Sequence, residues 1–145
     1  MTDAYRVELR SVDGGPTAVI SAGPFTVIAD RPSSGGGGGL GFSGGQLLYA
    51  AIAACVSNDL YREAASLGIN LTRVALSVDG DFPARGQGST PVTVEVDLEG
   101  DATEERLRAL LAIVDDVAEI PNSIRGTTAV AIRARSVRSV GGRET

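Results

Sequence analysis

The sequence predicts a single α+β domain, residues 1–145, of order βββ-α-ββ-α-β, and three observations carry that prediction. Period-2 alternation clusters at two places in the chain instead of alternating strictly with helices. Between the clusters, a small-residue and apolar run from Ser43 to Leu67 has a helix signal at each end. A second segment, from Glu104 to Ala118, places Leu107, Leu110, Leu111, Val114, Val117 and Ala118 at i, i+3, i+4, i+7 spacing.

The N-terminal third supplies three strands. Tyr5, Val7 and Leu9 alternate with Arg6, Glu8 and Arg10, predicting a half-buried strand that ends at Asp13-Gly14-Gly15-Pro16. Thr17 to Ser21 and Phe25 to Asp30 then flank Ala22-Gly23-Pro24, completing a meander. Arg31 to Phe42 is glycine-rich and predicts a flexible loop, a hinge or a site wall. Ser43 and Gln46 form a capping box, so a helix starts there; Gly68 suits the left-handed position just past its end. From Leu47 to Val56 this helix is apolar or small on nearly every face, which points to burial in the fold or in a subunit contact. Two strands follow, one around Val74, Leu76 and Val78 and one around Val92, Val94, Val96 and Leu98. Asp101 and Glu104 are expected to cap the second helix, and Pro121 to end or kink it. Val130 to Val137 is the last strand.

Composition excludes several function classes. The chain has one cysteine and no histidine, so an intrachain disulfide is impossible and a structural zinc lacks ligands. Its 13 basic residues are all arginine and stand against 18 acids, a formal charge of -5 that opposes general nucleic-acid binding. Arg133, Arg135, Arg138 and Arg143 cluster near the C-terminus; Arg133 and Arg135, at alternate positions, are expected on a solvated strand face. No apolar run is long enough for a bilayer and no signal-peptide pattern opens the chain, so a cytoplasmic protein with no membrane partner is expected. Gly36 to Gly41 matches GxGxxG formally, but five glycines in a row make the match trivial and no acid ends a following strand. No cofactor is expected. Asp115-Asp116 and Glu104-Glu105 are adjacent on a helix and point apart, which suits solvated surface and not an acid/base couple. Without histidine, Ser57 and Ser123 have no triad.

Cys55 is the remaining candidate. It lies twelve residues past the helix start, about 18 Å at 1.5 Å per residue, so the helix terminus cannot lower its pKa. Asp59, one turn on, opposes ionisation. Activation would need an arginine from another segment, with Arg31 and Arg125 the candidates. A buried, packing cysteine is the competing reading.

Asp30-Arg31-Pro32, the glycine-rich loop, Gln46-Leu-Leu-Tyr-Ala-Ala-Ile-Ala-Ala-Cys55, Ala64-Ala-Ser-Leu-Gly-Ile69 and Val74 to Gly80 together resemble the OsmC/Ohr family, osmotically inducible and organic hydroperoxide resistance proteins. The resemblance runs from about Gly14 to Val137. It implies an intertwined homodimer and a thiol peroxidase reaction, with Cys55 at the position of the attacking cysteine. It also places Ile120, ahead of Pro121, where the family has a resolving cysteine, and Gly45 where it has a glutamate. Pro16 falls where the family has an arginine. The resemblance therefore implies a degenerate site, with Arg31, Gly45 and Arg125 as substrate-pocket candidates and an external thiol as the reductant. The alternative is a non-catalytic dimer that binds an apolar small molecule between subunits.

Overall fold

The computed structural model describes residues 5–141, so Arg143 of the C-terminal arginine cluster lies outside the described residues. The chain forms two compact units, one ending at Leu48 and one beginning at Tyr49.

The N-terminal unit holds β1 (Glu8–Ser11), β2 (Ala18–Ala22) and β3 (Phe25–Ala29) in an antiparallel meander. One expectation fails here: β1 is not half-buried. All four of its residues are exposed; β1 is the edge strand of the meander, and its apolar Leu9 pairs with Ile20. The loop after β3 is more ordered than its glycine content predicts. Buried Asp30 gathers it, accepting from the Thr17 hydroxyl at 2.8 Å and from the amides of Arg31, Gly38 and Leu40 at 2.7, 3.2 and 3.2 Å. Burial alone would raise the Asp30 pKa, but these four donors together hold it below the usual carboxylate value. Glycine is required at position 37, where a Cβ would run into the Arg31 carbonyl.

The helix α1 (Gly44–Ser66) begins as its capping box predicts. The Ser43 amide donates to Gln46 Oε1 at 2.9 Å, and the Gln46 amide donates to Ser43 Oγ at 3.3 Å. It ends in a Schellman pattern around Gly68, which has φ +67. There the Ile69 amide bonds the Ala64 carbonyl at 2.9 Å and the Gly68 amide bonds Ala65 at 3.2 Å.

The C-terminal unit is a three-stranded sheet, β4 (Leu71–Asp79), β5 (Val92–Gly100) and β6 (Val130–Ser139), with β5 central, antiparallel to β4 and parallel to β6. A parallel neighbour needs a crossover, which α2 (Glu104–Val117) and α3 (Glu119–Ile124) provide. Val92, Val94, Val96 and Leu98 of β5 point to one face and are buried with Ile52, Val56, Leu60 and Ala64 of α1 and Leu107, Leu110, Leu111 and Val114 of α2. The stripe of α1 that packs is thus a narrow one. Ala50, Ala51, Ala54 and Tyr61 lie exposed on its other sides.

β6 carries a bulge: Val96 pairs with Ala134, but Asp97 pairs with Ser136. The extra residue, Arg135, shifts the parity, so Val130, Ile132 and Ala134 face the core before it and Val137 after it. It also brings the Arg135 guanidinium onto Asp97, at 3.0 and 2.7 Å, beside the Ser136 hydroxyl at 2.8 Å. Arg133 and Arg138 pair with Glu95 and Glu99, each at 3.7 Å, so this solvated face is paired with acids rather than free to take phosphates.

The Arg135 hydrogen bond, and after it that of Ser136, pulls the Asp97 pKa down to about 2. Because the folded value lies below the ordinary 3.8, Asp97 contributes stability above about pH 4 and loses it as the pH falls towards 2. Asp97→Asn should therefore lower the urea midpoint at pH 7, and the gap from wild type should close by pH 2. An equal gap at both values would show that packing, not charge, is at work.

Two expectations about α2 are corrected. Its cap is Thr103, whose hydroxyl accepts from the Arg106 amide at 3.2 Å; Asp101 instead accepts from the Asn70 amide at 2.6 Å. The helix breaks at Ala118, where ψ is 109, three residues before Pro121. That break places Pro121 in the first turn of α3, where a missing N–H leaves no acceptor unmet.

Candidate active site around Cys55

Cys55 is half-buried on α1, and the buried Asp59 lies on the same face one turn later. The α2–α3 break aims the start of α3 at this face and brings in Glu119. The Cys55 thiol is 3.7 Å from Asp59 Oδ2 and 3.9 Å from Glu119 Oε2, positioned to donate its one proton to either.

Arg62 completes the cluster. Its guanidinium lies 3.3 Å from Asp59, 3.3 Å from Glu63 and 3.7 Å from Glu119. Burial raises the thiol pKa above 9.0; the Ile120 amide opposes this, and the charges of Asp59 and Glu119 add to it. Burial likewise raises Asp59 against the pull of Arg62, while Glu119, bonded by its own amide and near Arg62, is lowered. At neutral pH the group is a protonated thiol facing carboxylates, the reverse of an activated nucleophile.

The sulfur and the two carboxylate oxygens lie within 4.8 Å of one another, a spacing that would suit a metal ion. Arg62 already sits against both carboxylates and opposes a second cation there.

The other sequence candidates fall as follows. Arg125 is spent on its own surroundings: it bonds Asp115 Oδ1 at 2.6 Å, Asn122 Oδ1 at 2.7 Å and the Val130 carbonyl at 3.0 Å, tying α3 to β6. Arg31 belongs to the N-terminal unit, where its Nε donates to the Gly35 carbonyl at 3.1 Å. Gly45 is the second residue of α1, ten before Cys55. Sequence reasoning missed Arg62 and Glu119. Arg62 had a signal, since residues three and seven positions past Asp59 and Cys55 share their face of a helix. Glu119 had none: it is 64 residues from Cys55.

The family model for OsmC-like proteins matches residues 36–133, about two thirds of the chain and the whole of this cluster. The chain belongs to the OsmC family. No curated protein matches it. Among solved structures, the OsmC-like protein of Mycoplasma pneumoniae is similar at TM-score 0.77 and 16% identity, covering 94% of this chain and 97% of that one. An organic hydroperoxide resistance protein OsmC from Legionella pneumophila is similar at TM-score 0.65 and 23% identity, covering 94% and 98%. One from Elizabethkingia anophelis, also an organic hydroperoxide resistance protein, gives 0.64 and 18%, covering 94% and 97%. The α+β architecture of this OsmC-family chain is thus that of its relatives. Among the described residues, no helix is long and apolar enough to cross a membrane.

Proposed function

We propose that this OsmC-family chain is a homodimer, one domain per subunit, whose Cys55 reduces organic hydroperoxides slowly, as a single-cysteine thiol recycled by an external thiol. The observation that carries this reading is Glu119 Oε2, 3.9 Å from the Cys55 sulfur, which sets the start of α3, and with it the neighbouring Ile120, beside the thiol. Ile120 stands where the family has its resolving cysteine, so the two halves of the family's redox pair are still neighbours here, with one thiol absent. The chemistry left is short. A Cys55 thiolate would attack the peroxide, release the alcohol and become a sulfenic acid, which an added thiol converts to a mixed disulfide and a second thiol reduces. Burial and two carboxylates keep the thiolate scarce, which makes the first step slow.

Dimerisation is supported by α1. From Leu47 to Val56 it is small or apolar on nearly every side, yet Ala50, Ala51 and Ala54 are exposed in the single chain. So are Leu9 and Phe25 of the meander, at 61% and 75%. Surfaces of this kind are normally covered. The family match crosses the boundary at Leu48, running from residue 36 to 133, which supports a single domain.

The expected result is that wild type, with an organic hydroperoxide and a dithiol, consumes peroxide measurably above background and Cys55→Ser does not. Equal consumption by the two would reject the enzymatic reading. Position 45, where the family has a glutamate, is a glycine. It favours a second reading, an apolar ligand bound between subunits without catalysis, and that reading would then stand.

A further inference from the structure

The charges around Cys55 bear on what can approach it. Asp59, Glu63 and Glu119 share one guanidinium, Arg62, so the patch carries net negative charge. Two of these carboxylates have an oxygen within 4 Å of the sulfur, and Glu119 is two-thirds exposed. No described hydrogen bond or ion pair brings Arg31 or Arg125 to this cluster. A unit charge about 4 Å from another feels roughly 1 kcal/mol in water and several times more near a protein surface. A reagent that must reach the sulfur passes through that field.

We propose that Asp59 and Glu119 make Cys55 select its reaction partners by charge, favouring cationic and neutral thiols and oxidants over anionic ones. The external thiol that recycles the site is then one without net negative charge. That last part rests on the peroxidase reading above; the charge selection itself does not.

The test uses methanethiosulfonates of similar size bearing an ammonium, an ethyl or a sulfonate group. In each, the thiolate attacks the sulfenyl sulfur and forms the S–S bond, methanesulfinate leaves with the electron pair, and the thiol proton passes to solvent. Ionisation of Cys55 affects all three reagents equally, so the cation-to-anion rate ratio isolates the field. Measured by mass spectrometry and divided by the same ratio for a small free thiol, it should be about tenfold. It should fall with added salt and in Glu119→Gln. A normalised ratio near one, or below one, overturns the proposal, as does a ratio unchanged in Glu119→Gln at any salt concentration.

A second arm follows peroxide turnover with cysteamine against mercaptoethanesulfonate, where the cationic thiol should be the faster. Faster turnover with the sulfonate overturns the claim about the reductant. If neither thiol supports turnover while the reagent ratio holds, the peroxidase reading fails and the charge selection stands.

Discussion

Leu60→Ala is expected to lower folding stability by roughly 2–5 kcal/mol, a large share of the roughly 5–15 kcal/mol that holds a typical domain. Leu60 has no exposed surface and sits in the one stripe of α1 that packs, with Ile52, Val56 and Ala64, against the valines of β5 and the leucines of α2. Truncation there forfeits the transfer energy of three carbons and leaves a void between close-packed layers. The same change at Leu67, which is 40% exposed at the end of the helix, should cost under about 0.5 kcal/mol. Urea unfolding of the two variants gives the comparison. Similar midpoints would mean that α1 does not carry the core as described. Because Cys55 lies on this helix, Leu60→Ala should also loosen the site.

The second large effect concerns the carboxylates. Asp59→Asn and Glu119→Gln each remove a negative charge that disfavours the thiolate. Each should speed alkylation of Cys55 by neutral iodoacetamide at pH 7.5, by roughly three- to tenfold given a unit charge about 4 Å away. Asp59 should show the larger effect, because it is buried and poorly screened. Arg62→Gln should act in the opposite direction, leaving both carboxylates uncompensated. If all three variants react at the wild-type rate, the charges do not govern the thiol.

These expectations divide along what local sequence can encode. The capping box at Ser43 and the Schellman turn at Gly68 depend on residues within five positions of one another, and both formed as written. The alternation of β4 and β5 reports a sheet with one covered face, and that too was legible. The cap of α2 was ambiguous locally, since Asp101 and Thr103 are both good acceptors; the long-range bond from Asn70 decided it. The bulge at Arg135 follows from pairing with Asp97, nearly forty residues away, which no strand period reveals. At the site, α1 displayed Cys55, Asp59 and Arg62 on one face for anyone counting turns. Glu119 reaches the sulfur only because α2 breaks at Ala118, and that break was expected three residues later.

The most direct test of the account is the ionisation of Cys55 itself. In native wild-type protein, with Cys55→Ser as the blank, the iodoacetamide rate should climb with pH without levelling off until above 9.0, as burial and the two facing carboxylates require. A rate that reaches its plateau below pH 8 would mean a cation supports the thiolate, and would contradict the picture of an OsmC-family cysteine held in its protonated form.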